Sequence, residues 1–188
     1  MKIFFIGTVE FSRYALVKLI EMETKIAGVA TKADSPFNAD FADLSPLCKQ
    51  VNIPYRCVNN INDRDVVAWI NSLHPDVIFC LGWSKLLKRE LLCLAPMGVV
   101  GFHPAALPKN RDLHPIIWAL ALGLKETALT FFFMDEGDDS GDILSREFIK
   151  IAYSDDARSL YSKIVNVALL QIGKFVPKLE SKTYMRIP

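Results

Sequence analysis

The chain has 188 residues, 51% of them hydrophobic, and Lys+Arg 22 against Asp+Glu 21 leave a formal charge of +1. That length and apolar content predict one domain, 1–188, with a substantial core. The near-neutral balance excludes broad electrostatic attraction to nucleic acid or to an anionic membrane and leaves room for a local basic patch on a phosphate.

"KIFFIG" reads as a short buried parallel strand ending in glycine, and Phe11, Ala15, Leu16, Leu19 and Ile20 then recur at helical spacing. "KIAGVAT" is a second strand. The polar stretch from Lys32 to Leu44, with Pro36, Asn38 and three Asp, is expected to be a loop. A short helix over Pro46 to Val51 leads into the strand "PYRCV". Asn62 is placed to cap a helix whose Val66, Trp69, Ile70 and Leu73 share one face. "HPDVIFCLG" is another buried strand, Lys88 to Leu94 a helix, and "MGVVGF" the strand that delivers His103. Pro115 to Leu122 reads as a helix with proline in its first turn. "TALTFFFM" and "DILSREFIKI" form two strands, expected antiparallel, around the acidic loop "MDEGDDSGD". A last amphipathic helix follows from Asp155, with Leu160, Ile164, Ala168, Ile172 and Phe175 in register.

This alternation predicts an α/β fold: an open, mostly parallel Rossmann-like sheet with helices on both faces. Ligands of such sheets bind beyond the carboxyl ends of the strands, where Gly7-Thr8, Gly82-Trp83 and Phe102-His103 all fall.

"IGTVEF" has one glycine where a dinucleotide fingerprint needs three. The turn offers either backbone N–H groups to an anion or a plain strand-to-helix corner. His74 precedes a strand, at the end opposite the expected site, and reads as a turn residue, whereas His114 at a helix start is within the range of substrate contacts. His103 ends a strand and is followed by a carboxylate-rich loop. A carboxylate against an imidazole fixes its tautomer, as proton transfer requires, but such pairs also occur as structure. The loop lacks the terminal glutamate and flanking helices of a calcium site, so no metal is expected. The four cysteines, Cys48, Cys57, Cys80 and Cys93, contain no CxxC pair and read as reduced, packing thiols. With neither a signal-peptide pattern nor an apolar stretch of bilayer length, a soluble, cytoplasmic protein is expected.

Three segments, "MKIFFIGTVEFSRYALVKLI", "HPDVIFCLGWSKLL" and "FHPAALPKNRDLHPIIWALALGLKETALTFFFMDEGDDSGDIL", together resemble the folate-dependent formyltransferases. The similarity runs from Met1 to about Leu144. It implies transfer of a formyl group from 10-formyltetrahydrofolate, a co-substrate, to a primary amine. It also implies that His103 is the active-site histidine and Asp139 its acidic partner. Folate would lie against Cys80, Gly82, Trp83, Leu86, Leu87 and Leu92 and against Asp135, Gly137 and Asp138 of the acidic loop, with Leu86 and Leu87 on the pterin.

The chain departs from the family at two places. Gly101 stands where the family has an asparagine whose amide donates to the oxyanion, and losing such a donor costs about 3–4 kcal/mol. The space left by the glycine is expected to hold a water or a side chain from a neighbouring loop, Asn110 among the donors available. Asp112 stands where the family has glycine.

Among the family's acceptors, the absence of a basic tail and of a further C-terminal segment speaks against tRNA. The absence of a glycine-rich phosphate loop speaks against the purine precursor. The amine expected is therefore that of a nucleotide-linked amino sugar, as in surface-polysaccharide synthesis. Thr8, Lys109, Asn110, Arg111 and His114 are its expected contacts, Lys109 and Arg111 meeting a diphosphate. The rival expectation is a formyltransferase fold that binds ligand and has lost the chemistry at Gly101. The wide apolar stripe of the last helix is expected to close the chain's own core, the alternative being that Tyr153, Tyr161 and Phe175 leave an aromatic patch for a second subunit of a homodimer.

Overall fold

Strand β1 (Lys2–Ile6) buries every residue after Lys2, as a strand covered on both faces must. The computed structural model describes residues 1–35, 39–109, 114–137 and 139–188. The chain divides into two compact units, Met1–Val100 and Gly101–Pro188.

In the first unit, β1 pairs in parallel with β2 (Lys25–Thr31) and with β4 (Val77–Cys80), and β2 pairs in parallel with β3 (Tyr55–Cys57). The strand order is β3-β2-β1-β4, continued by the start of β5 (Val99–His103), whose residues cross the boundary between the units. The helices are α1 (Glu10–Glu21), α2 (Ser45–Gln50), α3 (Arg64–Ser72) and α4 (Arg89–Leu92). In the second unit the order is β5-β6-β7, with β6 (Glu126–Phe133) and β7 (Ile143–Lys150) antiparallel, as expected. Helix α5 (Pro115–Ala121) precedes them and α6 (Ala157–Glu180) follows. The open, mostly parallel α/β sheet is thus the one the alternation predicts.

One local expectation is corrected. Asp63, not Asn62, is the N-cap of α3. Asn62 is drawn away by a longer-range pairing: its Nδ2 donates to the Leu86 carbonyl at 2.9 Å and its Oδ1 accepts from the Lys88 N–H at 2.7 Å. The last helix closes its own unit, as expected, in place of the alternative aromatic patch. Phe175 is buried against Phe131, ring centroids 4.9 Å apart, and the Tyr161 hydroxyl is also buried. Tyr153 alone stands fully in solvent. The apolar stripe of α6, Leu160, Ile164, Ala168, Ile172 and Phe175, closes its own unit. His74 is a turn residue as expected, left-handed (φ 49°) after α3, its N–H bonded to the Asn71 carbonyl. Among the described residues no helix is long and apolar enough to cross a membrane, and the four cysteines are unpaired.

Candidate active site

In the second unit, β5 ends on His103, and the loop between β6 and β7 brings Asp139 to it. His103 Nδ1 lies 3.0 Å from Asp139 Oδ2, with the imidazole side chain 11% exposed and the carboxylate 29%. A carboxylate at this distance takes the Nδ1 proton in a hydrogen bond and fixes the ring's orientation. Asp139 adopts a left-handed backbone conformation, φ 49°, a strained state that aspartate tolerates better than most residues and that recurs at functional sites. Asp135 is bonded within the loop. Its Oδ1 accepts from the Gly137 N–H (3.0 Å) and the Ser140 hydroxyl (2.7 Å), bracing the loop that presents Asp139.

Gly101, two residues before the histidine, is buried. A Cβ there would lie 2.7 Å from Met134 Cγ, 3.0 Å from Met134 Sδ and 3.1 Å from Phe132 Cζ. The space expected to admit a water or a polar side chain is therefore lined by a thioether and an aromatic edge. Lys109 and His114 are exposed, and His114 opens α5 in a left-handed conformation (φ 61°) with no side-chain cap. Asn110, Arg111, Asp112 and Asp138 lie outside the described residues.

In the first unit, the ends of β1 and β4 meet where the Thr8 N–H points at the Gly82 carbonyl, 3.2 Å away. Gly82 has a positive φ of 82°, and a Cβ on it would strike Val9 and Ser12. The first N–H groups of the corner are bonded within the chain. The Thr8 and Val9 N–H groups both point at Ser12 Oγ (3.1 Å each), which donates to the Leu81 carbonyl at 2.6 Å. The next N–H, of Glu10, donates to the Asp40 carbonyl at 2.8 Å, and Ala42 N–H returns a bond to the Thr8 carbonyl at 3.0 Å. The chain's own segment thus closes the end of α1. Ser12 at the third helical position was the signal of that closure; the bridge from Asp40 to Ala42 has none in local sequence.

Thr8 is buried, and its hydroxyl, like Trp83 Nε1, is a buried group with no hydrogen-bond partner among the described residues. The Lys32 ammonium sits 5.2 Å from the Trp83 ring centre. Leu86 is 76% exposed, while Leu87, Leu92 and Cys80 are buried. Burial pushes the Cys80 thiol up to about 12, so it is a packing group with no nucleophilic role near neutral pH.

A family model described as formyl transferase matches residues 1–170. The chain belongs to the formyl transferase family. Among its relatives is the methionyl-tRNA formyltransferase of Kosmotoga olearia, 34% identical over 96% of this chain and 60% of that protein. The chain spans less than two thirds of the length of the first such relatives, 60% and 66% of two of them. Among solved structures, a phosphoribosylglycinamide formyltransferase from Bacillus halodurans matches with TM-score 0.84 and 22% identity, covering 97% of both chains. A sugar 3N-formyl transferase, crystallised with dTDP and 5-N-formyl-THF, matches with TM-score 0.75 and 17% identity over 100% of this chain and 65% of that one. At these identities the two structures share the fold with this formyl transferase family member.

Proposed function

We propose that this protein transfers a formyl group from 10-formyltetrahydrofolate to a primary amine, with His103 handling the proton and Asp139 orienting His103. The observation that carries this reading is the 3.0 Å contact between His103 Nδ1 and Asp139 Oδ2 in a chain of this family. The formyl-folate supplies the formyl carbon. In the balanced reaction the amine nitrogen bonds to that carbon, the bond to folate nitrogen breaks, the ammonium loses a proton and the folate nitrogen gains one. An imidazole held by a carboxylate suits that proton relay, worth about 10²–10⁴ in rate. In the first unit, the outward Leu86 and the Trp83 N–H, which has no hydrogen-bond partner among the described residues, suit a flat, hydrogen-bonding pterin. The cytoplasm fits a protein with four unpaired thiols.

The acceptor in this reading is the amine of a nucleotide-linked amino sugar. A second acceptor, methionyl-tRNA, is favoured by one observation: relatives 30–34% identical over 96–100% of the chain carry the name methionyl-tRNA formyltransferase.

The test follows tetrahydrofolate release by absorbance, with a panel of nucleotide-linked amino sugars in one arm and methionyl-tRNA in the other, and His103→Ala as control. Turnover that needs His103 and a sugar supports the proposal as stated. Turnover with methionyl-tRNA alone moves the acceptor. Folate binding without turnover in either arm replaces the enzyme with a binding module, and no folate binding removes the reading.

A further inference from the structure

The strand carrying His103 ends at the histidine itself, so residues 104–109 have no sheet ladder to hold them. From 103 to 109 the backbone makes short-range bonds: Ala105 N–H to the His103 carbonyl (2.9 Å), Leu107 N–H to the Ala105 carbonyl (3.1 Å) and Lys109 N–H to the Ala106 carbonyl (2.9 Å). Bonds that span two or three residues shape a turn and do not anchor it to the rest of the fold.

Two side chains from the β6–β7 hairpin do anchor it. Thr130, wholly buried in mid-strand, donates its hydroxyl to the Ala105 carbonyl at 2.7 Å. Arg146 donates from Nη1 to the Leu107 carbonyl at 2.7 Å, a charge-assisted bond, with its guanidinium 5.6 Å from the Phe148 ring centre. Thr130 and Arg146 are direct partners in the antiparallel register, which puts both side chains on the same face of the hairpin. A fully buried strand position would ordinarily favour valine, since an unbonded hydroxyl there is costly. The threonine is explained by the carbonyl it holds.

We propose that Thr130 and Arg146 are positioning residues: as one cross-strand pair they clamp the Ala105 and Leu107 carbonyls and so fix the turn next to the His103 imidazole. The loop of the same hairpin presents Asp139, so one hairpin bears on both sides of the contact between imidazole and carboxylate. Errors near 1 Å in such a contact cost up to about 10²-fold in rate.

The kinetic arm of the test rests on the formyl-transfer reading; a spectroscopic arm does not. Thr130→Val keeps the branched shape and removes the hydroxyl, Thr130→Ser keeps the hydroxyl, and Arg146→Met removes the second clamp. Thr130→Val and Arg146→Met are each expected to lower kcat about tenfold with KM for formyl-folate within about twofold, and Thr130→Ser to restore kcat. On a His103→Ala background neither change should lower the rate further, because both act through that residue. Independently, the imidazole ¹⁵N signal of His103, identified by its loss in His103→Ala, should shift or broaden in Thr130→Val and Arg146→Met and hold in Thr130→Ser. An unchanged His103 signal in both variants overturns the proposal, as does an undiminished loss of rate on the His103→Ala background. If the wild-type protein transfers no formyl group, the formyl-transfer reading falls and the ¹⁵N comparison alone decides the positioning role.

Discussion

Met134 stands against Gly101, its Cγ 2.7 Å from where a Cβ on residue 101 would begin. A thioether is a weak acceptor and donates nothing, so this flank of the His103 strand end offers no hydrogen to an oxyanion. Gly101→Ala is expected to destabilise the fold by about 1–3 kcal/mol through overpacking, and Met134→Ala in the same chain to recover most of that loss. Gly101→Asn with Met134→Ala restores an amide donor and the room for it. It should raise the formyl-transfer rate by up to about 10²-fold over the parent protein. Chemical denaturation measures the first effect and tetrahydrofolate release the second. A double variant no faster than the parent would mean that the donor is supplied elsewhere.

Asp139 separates charge from backbone. Asparagine adopts the left-handed conformation as readily as aspartate and keeps its shape. Asp139→Asn should therefore melt close to the parent temperature while kcat falls by about 10²–10⁴-fold, because the amide no longer holds the imidazole in one tautomer. Asp139→Ala should lose a comparable rate and also about 1 kcal/mol of stability from the φ of 49°. Melting curves beside single-turnover rates distinguish the two, and an Asp139→Asn variant with parental kcat would remove the orienting role.

Periodicity and strand-end position were enough to place β2, α5, the β6–β7 hairpin and His103, since each depends on residues near in sequence. What was not legible depends on partners far along the chain. Asn62 looks like a cap until the Leu86 carbonyl and Lys88 N–H arrive to compete for it. "GTVEF" leaves an anion site and a plain corner equally open, and nothing local announces that the Asp40 carbonyl takes the Glu10 N–H. Thr130 is indistinguishable from any β-branched strand residue, because its significance lies in a carbonyl 25 residues away. Met134 beside Gly101 is a matter of packing between β5 and the end of β6, which no local pattern encodes. The His103–Asp139 pair was anticipated because the resemblance supplied both partners; spacing alone left it open.

Asn62 ties the 86–88 segment to the turn before α3 through two hydrogen bonds. Net hydrogen-bond contributions of about 0.5–1.5 kcal/mol each imply that Asn62→Ala loosens this segment by roughly a factor of ten or more. Because Leu86 is the outward apolar group there, the expected result is a formyl-folate Kd raised about tenfold with the melting temperature nearly unchanged. Calorimetric titration with the folate measures it. Unchanged affinity would take the segment out of the folate site.

The buried thiols predict an alkaline limb in stability. Burial, with a smaller contribution from the Asp43 charge, pushes Cys48 up to about 11, and burial pushes Cys80 up to about 12, from an ordinary 9.0. Between pH 9.0 and these values the unfolded chain has released protons that the folded chain still holds. The folded state then binds more protons, so stability must fall as pH rises. The contribution is fully present below pH 9.0 and declines progressively toward about 11 for Cys48 and about 12 for Cys80. Cys48→Ala with Cys80→Ala should lower stability at pH 7 through lost packing, yet show a flatter decline above pH 9.0. Urea unfolding across that range measures both. Equal slopes in parent and variant would mean that the alkaline loss comes from other groups and that these two thiols titrate alike in both states.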